Sequence, residues 1–225
     1  MVLSNAEAVG LAKELKVLRD GEKRRLDKIH DYLRDDPDHR RLGGVPAGAP
    51  DDVVRLARVS RVNLLKYIVT ARSQTMYVDG YQLRDGSPAP QWDIWRRNQL
   101  GSRQIGIHRA GLAYGAGYIT VLPGALTRPA RSMPVVRGAS PRELTVAYGD
   151  DDQWPVSALQ KRRGDRWRLI DEHAVYELQR TSTGFAVVDH GLHGATEDGQ
   201  PVCPVVRVRD TDDLDMPVQG LVEPH

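Results

Sequence analysis

Apolar residues recur at helical spacing in the first part of the chain. Between residues 4 and 33, leucines and isoleucines stand three or four positions apart, after a Ser-x-x-Glu capping-box pattern. This spacing predicts a helix, which Gly21 is expected to interrupt. Residues 43–50 are rich in glycine and proline and have no apolar face, so they predict a flexible connector. Residues 1–50 are therefore expected to form a helical segment that packs separately from the rest.

Residues 51–133 are also mainly helical in pattern. Near their start, Val53, Leu56 and further apolar residues recur on one side of a predicted helix, and arginines stand elsewhere. That apolar stripe is wide enough to face a core. The predicted elements are a long helix at 51–73, a strand at 76–81, two helices at 91–99 and 102–113 separated by Gly101, and a strand at 118–122.

The period of the apolar pattern changes from helical to alternating beyond about residue 134. Short alternating stretches bounded by Gly, Asp and Pro are typical of antiparallel strands. The sequence therefore predicts an α+β fold, in which N-terminal helices pack on a β-rich part at 134–225 that ends in an acidic tail. The predicted strands of this part lie at 134–136, 143–148, 156–160, 166–170, 175–179, 185–188 and 205–208.

Composition is that of an ordinary globular protein. The chain has 225 residues, of which 40% are hydrophobic and 28% charged, enough to bury a core in one large domain or two small ones. There is no apolar run of membrane-spanning length, and the first residues lack the basic and apolar regions of a signal peptide. Neither membrane insertion nor secretion is expected. The single cysteine, Cys203, has no intrachain partner and fits a reducing compartment.

Charge is unevenly distributed although the net charge is only +2. Residues 1–150 carry 24 Lys and Arg against 16 Asp and Glu, whereas residues 151–225 carry 8 against 14. A subunit with a basic and an acidic part can pair head to tail with its own copies, the type of contact that closes rings. The alternative interpretation is that charge simply differs between a helical and a β-rich region.

Two groups of residues were considered as metal ligands. His190, His193 and Cys203 are the best candidates for zinc, but their glycine-rich loop contains no second paired ligand motif. Residues 150–152 are three consecutive aspartates that could bind a hard cation, yet they lack the spaced oxygen ligands and closing Glu of a calcium loop. A solvated turn between strands is the favoured interpretation, and no metal site is predicted.

Few residues of the chain fit a catalytic or cofactor-binding pattern. His108 lies among apolar residues of a predicted helix and could act as a general base, but no nucleophile motif accompanies it, so a core or interface histidine is favoured. The glycines of 115–117 follow a helix and precede a strand, the reverse of a phosphate-binding loop. We interpret them as a tight turn. No catalytic site and no cofactor are predicted.

Basic clusters and tryptophans could contact nucleic acid. The clusters at 23–25, 40–41 and 161–163 are short and flanked by acidic residues, which favours a solvated surface over a specific DNA contact. Trp92 and Trp95 share one face of a predicted helix and are expected to anchor packing rather than stack on bases.

A series of short stretches in residues 51–225 has a recognisable order and spacing. In the sequence they are the helix at 59–73, Met76-Tyr77-Val78-Asp79-Gly80-Tyr81, Trp95-Arg96-Arg97-Asn98, 108–115, Tyr118-Ile119-Thr120-Val121, 140–144, Tyr148-Gly149-Asp150, Trp154-Pro155, Ala158-Leu159, 204–207 and 220–224. The series resembles the portal proteins of tailed bacteriophages, in particular those of long-tailed actinobacterial phages. Leu64 departs from that family, which often has Trp there, a change that a core helix tolerates.

The resemblance implies a structural role and no enzymatic activity. A portal protein forms a cyclic homo-oligomer at one capsid vertex, through which double-stranded DNA is packaged and ejected. The partners implied are other copies of the chain, the phage DNA, the terminase, and the capsid and head-tail adaptor proteins, with no membrane. The implied location is the virion, and the host cytoplasm during assembly.

Length is the main departure from that family. Its chains are roughly twice as long, and their second half supplies the stem helices, the clip and the channel loop. The chain resembles the wing region alone, so we expect it to correspond to the N-terminal half. A truncated gene, a split gene and an expressed fragment all stay open as explanations.

The resemblance assigns architectural roles to individual residues. Gly80, Trp95, Gly115, Gly117 and Pro155 are expected to be packing and turn positions. Two other classes of function stay open at this point. One is a small metal-dependent hydrolase or nuclease that uses the aspartates of 150–152 with His108 or His190, and the other is a nucleic-acid-binding module that uses the basic first half.

Overall fold

Helices precede most strands in the described part of the chain. The structure is a computed structural model that describes residues 1–34, 48–59, 64–87, 89–127, 133–150 and 154–209. Its helices are α1 (Asn5–Leu33), α2 (Asp51–Val59), α3 (Leu64–Thr75), α4 (Trp92–Arg97), α5 (Leu100–Tyr114) and the short α6 (Gly124–Thr127). Its strands are β1 (Ala116–Leu122), β2 (Val135–Ala139), β3 (Leu144–Tyr148), β4 (Pro155–Lys161), β5 (Arg166–Ile170), β6 (Ala174–Thr181), β7 (Gly184–Leu192), β8 (Thr196–Glu197), β9 (Gln200–Pro201) and β10 (Val205–Arg209).

The strands form antiparallel sheets, which confirms the predicted α+β class. Strands β3 to β7 follow one another in a five-stranded meander, and β1 lies between β10 and β2 in a three-stranded sheet. Each strand predicted beyond residue 134 is present, because short apolar-rich stretches bounded by Gly, Asp and Pro mark antiparallel strands. The β8–β9 hairpin was not predicted. Its turn residues, Asp198 and Gly199, both have positive φ, as a two-residue hairpin turn requires.

Helix α1 is continuous, so the predicted interruption at Gly21 is wrong. Ser4 accepts the backbone N–H of Glu7, and the Glu7 side chain accepts the Ser4 N–H, which starts the helix with the predicted capping box. A mid-helix glycine costs only about 1 kcal/mol relative to alanine. Buried Leu15 before Gly21 and buried Leu26 after it hold both halves of the helix against the core.

The expectation that the first segment packs separately is also wrong. Ala8, Ala12 and Leu15 of α1 form one buried cluster with residues of β4, β5 and β6, including Leu159 and Trp167. Further along, Leu26 and Ile29 join a second cluster with α3 and α5. The apolar stripe of α1 therefore covers one face of the five-stranded sheet, and its tertiary contacts explain why so long a helix is stable.

The middle of the chain departs from the predicted elements in two places. The predicted helix at 51–73 corresponds to α2 and α3, and residues 60–63 between them lie outside the described residues. The break between α4 and α5 falls at Gln99, which has φ of +55°, and not at Gly101, which lies inside α5. Buried Asn98 explains the position, since its side chain donates to the carbonyls of Ile94 and Pro134 and accepts the Val136 N–H.

Two glycines let α5 approach the three-stranded sheet closely. A Cβ atom on Gly117 of β1 would lie 3.0 Å from the Ile107 carbonyl oxygen, and one on Gly138 of β2 would lie 2.4 Å from the Ile107 Cγ1 atom. Ile107 thus packs directly against β1 and β2. The pairing of β1 with β2 crosses residue 133, and the α1 contacts cross residue 50. The division of the chain at those two positions stays a prediction.

Candidate assembly surface

Exposed apolar side chains concentrate on three successive segments of the chain. We call them together the apolar surface, defined as the exposed apolar residues of α2, α3 and the segment 76–83. Its members are Val53, Leu56, Val59, Leu64, Leu65, Tyr67, Ile68, Met76, Tyr77, Val78, Tyr81 and Leu83. Exposed apolar residues scattered singly are normal, but such a concentration is typical of an interaction site.

Helix α2 carries the clearest part of this surface. Its apolar stripe was expected to face a core, and this is wrong: Val53, Leu56 and Val59 are exposed. Within the described residues, α2 makes no extensive contact with any other element. A helix of nine residues is too short to be stable in water by itself. Its amphipathic pattern therefore requires a surface to pack against.

Helix α3 is anchored on one side and open on the other. Val69 and Ser73 are buried, and Val69 belongs to the cluster that α1 and α5 also form. The opposite side presents Leu64, Tyr67 and Ile68 to solvent. Because the buried residues fix the helix against α5, its exposed apolar residues are held in place before any partner arrives.

The segment 76–83 is held by polar side chains of α5. The Gln104 side chain accepts the Val78 N–H at 2.8 Å and donates to the Val78 carbonyl oxygen at 3.2 Å. The His108 Nδ1 atom lies 2.9 Å from the Met76 carbonyl oxygen. The predicted strand at 76–81 is absent, because the backbone of this segment bonds to side chains of α5 and not to a neighbouring strand. Its exposed Tyr77 and Tyr81 are thus presented on a fixed backbone.

Replacing Gln104 with leucine is expected to release the segment from α5 without unfolding the protein. Leucine can neither accept from nor donate to Val78, whose backbone groups then bond to water, so the free energy of unfolding should fall by only about 1–2 kcal/mol. Hydrogen exchange at the Val78 amide should become faster. The control is Gln74→Leu, at an exposed glutamine of α3. Equal exchange at Val78 in the two variants would contradict this role of Gln104.

The predicted packing and turn residues lie on different elements. Gly115 ends α5 with φ of +83°, and Gly117 permits the close approach of α5. Half-buried Trp95 stacks on Trp92 with ring centroids 5.4 Å apart, and buried Pro155 begins β4 opposite Tyr148. A side chain on exposed Gly80 would meet nothing within 4 Å. The architectural roles of these five residues stay predictions.

The histidines and the cysteine considered for chemistry are engaged in the fold. His193 lies 3.0 Å from both the Asp171 carbonyl oxygen and the Ala195 N–H, so both of its ring nitrogens are used. His190 stacks on Tyr176, and burial raises the pKa of the Cys203 thiol. Within the described ranges, no three His, Cys, Asp or Glu residues are placed to share a metal ion. Asp151 and Asp152 lie outside those ranges.

The acidic excess of the second part of the chain is concentrated in two stretches. Residues 154–209 carry eight basic and seven acidic side chains, so the acidic excess of the second part lies in residues 151–153 and 210–225, outside the described residues. Arg40 and Arg41 also lie outside them, whereas Lys23, Arg24, Lys161 and Arg163 are exposed. None of the helices in the described part has the length and apolar character needed to cross a membrane.

Sequence reasoning missed the apolar surface because exposure depends on tertiary packing. The available signal was α2, a short amphipathic segment between a glycine-rich connector and the next helix.

Among curated proteins, no sequence matches the chain. Residues 13–218, most of the chain, match the family described as "Phage portal protein, SPP1 Gp6-like". This is a structural family and not an enzymatic one, and it supports the resemblance drawn from the sequence, although not the actinobacterial type. The chain belongs to the SPP1 Gp6-like family of phage portal proteins.

Proposed function

We propose that this portal subunit joins copies of itself side to side in a closed ring, and that the apolar surface forms one side of each contact. The observation that carries the proposal is the set of exposed apolar residues on α2, α3 and 76–83. Membership of the portal family supports a second copy as the partner. A contact between two different surfaces of the same chain closes into a ring when the rotation between copies is suitable.

Burial of this surface supplies enough free energy for association. Burying an exposed Val, Leu or Phe side chain contributes about 1.5–3 kcal/mol. Several members of the surface are more than half exposed, including Leu56, Val59, Leu64 and Tyr67. Segments already fixed by Val69 and Gln104 lose little conformational entropy on binding. Since the surface is apolar, its contribution to association should depend little on salt.

In the virion, the ring would lie at the portal vertex and let double-stranded DNA pass during packaging and ejection. We place assembly of the ring in the host cytoplasm, with the terminase, capsid protein and head-tail adaptor as partners. The ordered stretches from the helix at 59–73 to residues 220–224 support a portal of the long-tailed actinobacterial phage type. Family membership supports the portal role itself.

A charge placed in the apolar surface should prevent association. Leu56 is 68% exposed, so Leu56→Glu should leave the fold unchanged, while a buried glutamate would be costly in the contact. The expected result is a midpoint of association shifted to at least about tenfold higher concentration, which is about 1.4 kcal/mol. Light scattering coupled to size exclusion over a range of protein concentrations measures it.

Leu192→Glu is the matched control. Leu192 is 65% exposed and lies at the end of β7, outside the apolar surface. Its variant should associate like the wild-type chain. If the wild-type chain stays a monomer at every concentration, this region does not suffice for ring assembly. If both variants lose association equally, the contact does not involve α2.

A further inference from the structure

A groove lies between α5 and β2 on a part of the molecule that the apolar surface does not include. Its volume is about 420 Å³, within the range of ordinary binding clefts. Apolar and small residues line its floor, namely Ile107, Ala110, Ala139, Gly106 and Gly138. Gly106 is exposed, and a Cβ atom there would meet nothing within 4 Å, so the groove is open at this position.

Charged residues of opposite sign line the same groove. Arg103 and Arg137 are exposed and basic, and Glu143 is exposed and acidic. A ligand that fits such a groove has an apolar side for the floor, two acidic groups near the arginines and a basic group for the glutamate. An amphipathic helix with charged flanks is a common occupant of a groove of this type.

Helix α2 has these properties. Val53, Leu56 and Val59 form its exposed apolar stripe. Asp51 and Asp52 lie in its first turn, and the exposed Arg55 follows them about one turn later. Acidic residues at a helix start and a basic residue one turn later match the two arginines and the glutamate of the groove. Nine helical residues span about 13.5 Å, and the spacing of three between Val53, Leu56 and Val59 places all three side chains on one side of this short helix.

We propose that α2 of one copy binds in the α5–β2 groove of the neighbouring copy. This inference rests on the proposed function and names the partner surface of the same contact. Copies linked in this way contact each other through two different surfaces, which is the arrangement that a ring needs. Gly106 leaves room for the apolar stripe, and Arg103, Arg137 and Glu143 complement the charges of the helix.

A groove-filling substitution provides the first test. Gly106→Leu should occupy the space meant for α2 and shift the midpoint of association to at least about tenfold higher concentration. Leucine at an open, mid-helix glycine improves helix propensity, so the fold should persist. The matched control is Gly21→Leu, at an exposed glycine of α1 that also has nothing within 4 Å. Association unchanged in Gly106→Leu would overturn the proposal.

Cross-linking between copies identifies the occupant. Because Cys203 is buried, it should not react, and a cysteine introduced at the surface would be the reactive thiol of each variant. The two variants Leu56→Cys, on α2, and Ser140→Cys, in the groove, are mixed under mild oxidation. A disulfide-linked heterodimer is expected from this mixture, and none from Leu56→Cys mixed with Leu192→Cys. Assemblies without the first cross-link would overturn the groove assignment and leave the ring proposal standing. Mixtures that stay monomeric would overturn both.

Discussion

Replacing Trp167 with alanine is expected to lower the free energy of unfolding by about 4 kcal/mol, the largest loss that we expect from a single substitution in this chain. Trp167 lies on β5 and is only 2% exposed. It belongs to the cluster in which α1 meets the five-stranded sheet, and its ring packs edge-on against Phe185 with centroids 5.6 Å apart. Alanine would leave a cavity under the helix.

Two cations on α1 add to the contact that Trp167 makes. The Arg19 guanidinium lies 5.6 Å from the centre of the indole ring, and the Lys16 ammonium lies 6.0 Å from it. Arg19 is partly buried, and this burial lowers its pKa. Without the indole, the half-buried Arg19 guanidinium would lose a cation–π contact that offsets the cost of its burial. The loss should therefore exceed the value for the cavity alone.

Urea unfolding followed by far-UV circular dichroism measures the effect. The matched control is Trp154→Ala, since Trp154 lies just before β4 and is 36% exposed. The Trp154→Ala variant should lose about 1 kcal/mol of the free energy of unfolding, as expected for a partly exposed side chain. Similar losses in the two variants would show that α1 does not depend on Trp167, and would weaken the finding that the first segment belongs to the common core.

The strands could be predicted from the sequence because their signal is local. In β5 and β6, short runs rich in apolar residues are bounded by Asp or Gly, a pattern that marks strands even though both strands are buried over most of their length. The helix α1 could be predicted for the same reason, but its continuity through Gly21 could not. That continuity depends on the contacts of Leu15 and Leu26 with distant residues, which no local pattern contains.

Much less of the assembly surface could be predicted. The stripe of α2 has the same spacing as the stripe of α1, although α1 covers a sheet and α2 makes no extensive contact with any other element among the described residues. Periodicity shows that a helix has an apolar side but does not tell whether the partner belongs to the same chain or to another copy. Likewise, the apolar residues of 76–81 suggested a strand, and only the position of Gln104 on α5 reveals why they do not form one.

Asp171 is expected to give the second largest loss of stability, about 3 kcal/mol on replacement with alanine. It is 6% exposed and lies in the turn between β5 and β6. Its Oδ1 atom accepts the backbone N–H groups of His173 and Ala174, and its Oδ2 atom accepts the Tyr176 hydroxyl at 3.4 Å. Alanine would leave the buried Ala174 N–H and the part-buried His173 N–H without this acceptor, which costs more than the bonds themselves contribute, whereas the Tyr176 hydroxyl can still donate to the Leu3 carbonyl oxygen.

The hydrogen bonds of Asp171 and Tyr176 also connect Leu3, near the start of the chain, to strand β6. The Tyr176 hydroxyl also accepts the Leu3 N–H at 2.9 Å, and burial, together with the nearby Asp171 carboxylate, raises the pKa of Tyr176. Loss of Asp171 should therefore loosen the residues that precede α1 as well as the turn. Hydrogen exchange at Leu3 and Ala174 would then increase together, whereas a purely local effect would change Ala174 alone.

Glu172→Ala separates the network from the effect of removing a negative charge. Glu172 is the next residue, is exposed, and carries the same charge as Asp171. Its replacement should change the free energy of unfolding by less than about 0.5 kcal/mol, the usual range for a surface position. Urea unfolding of both variants at one pH makes the comparison. If the two losses are equal, the buried hydrogen bonds of Asp171 contribute nothing beyond its charge, and the turn is held by the pairing of β5 with β6 alone.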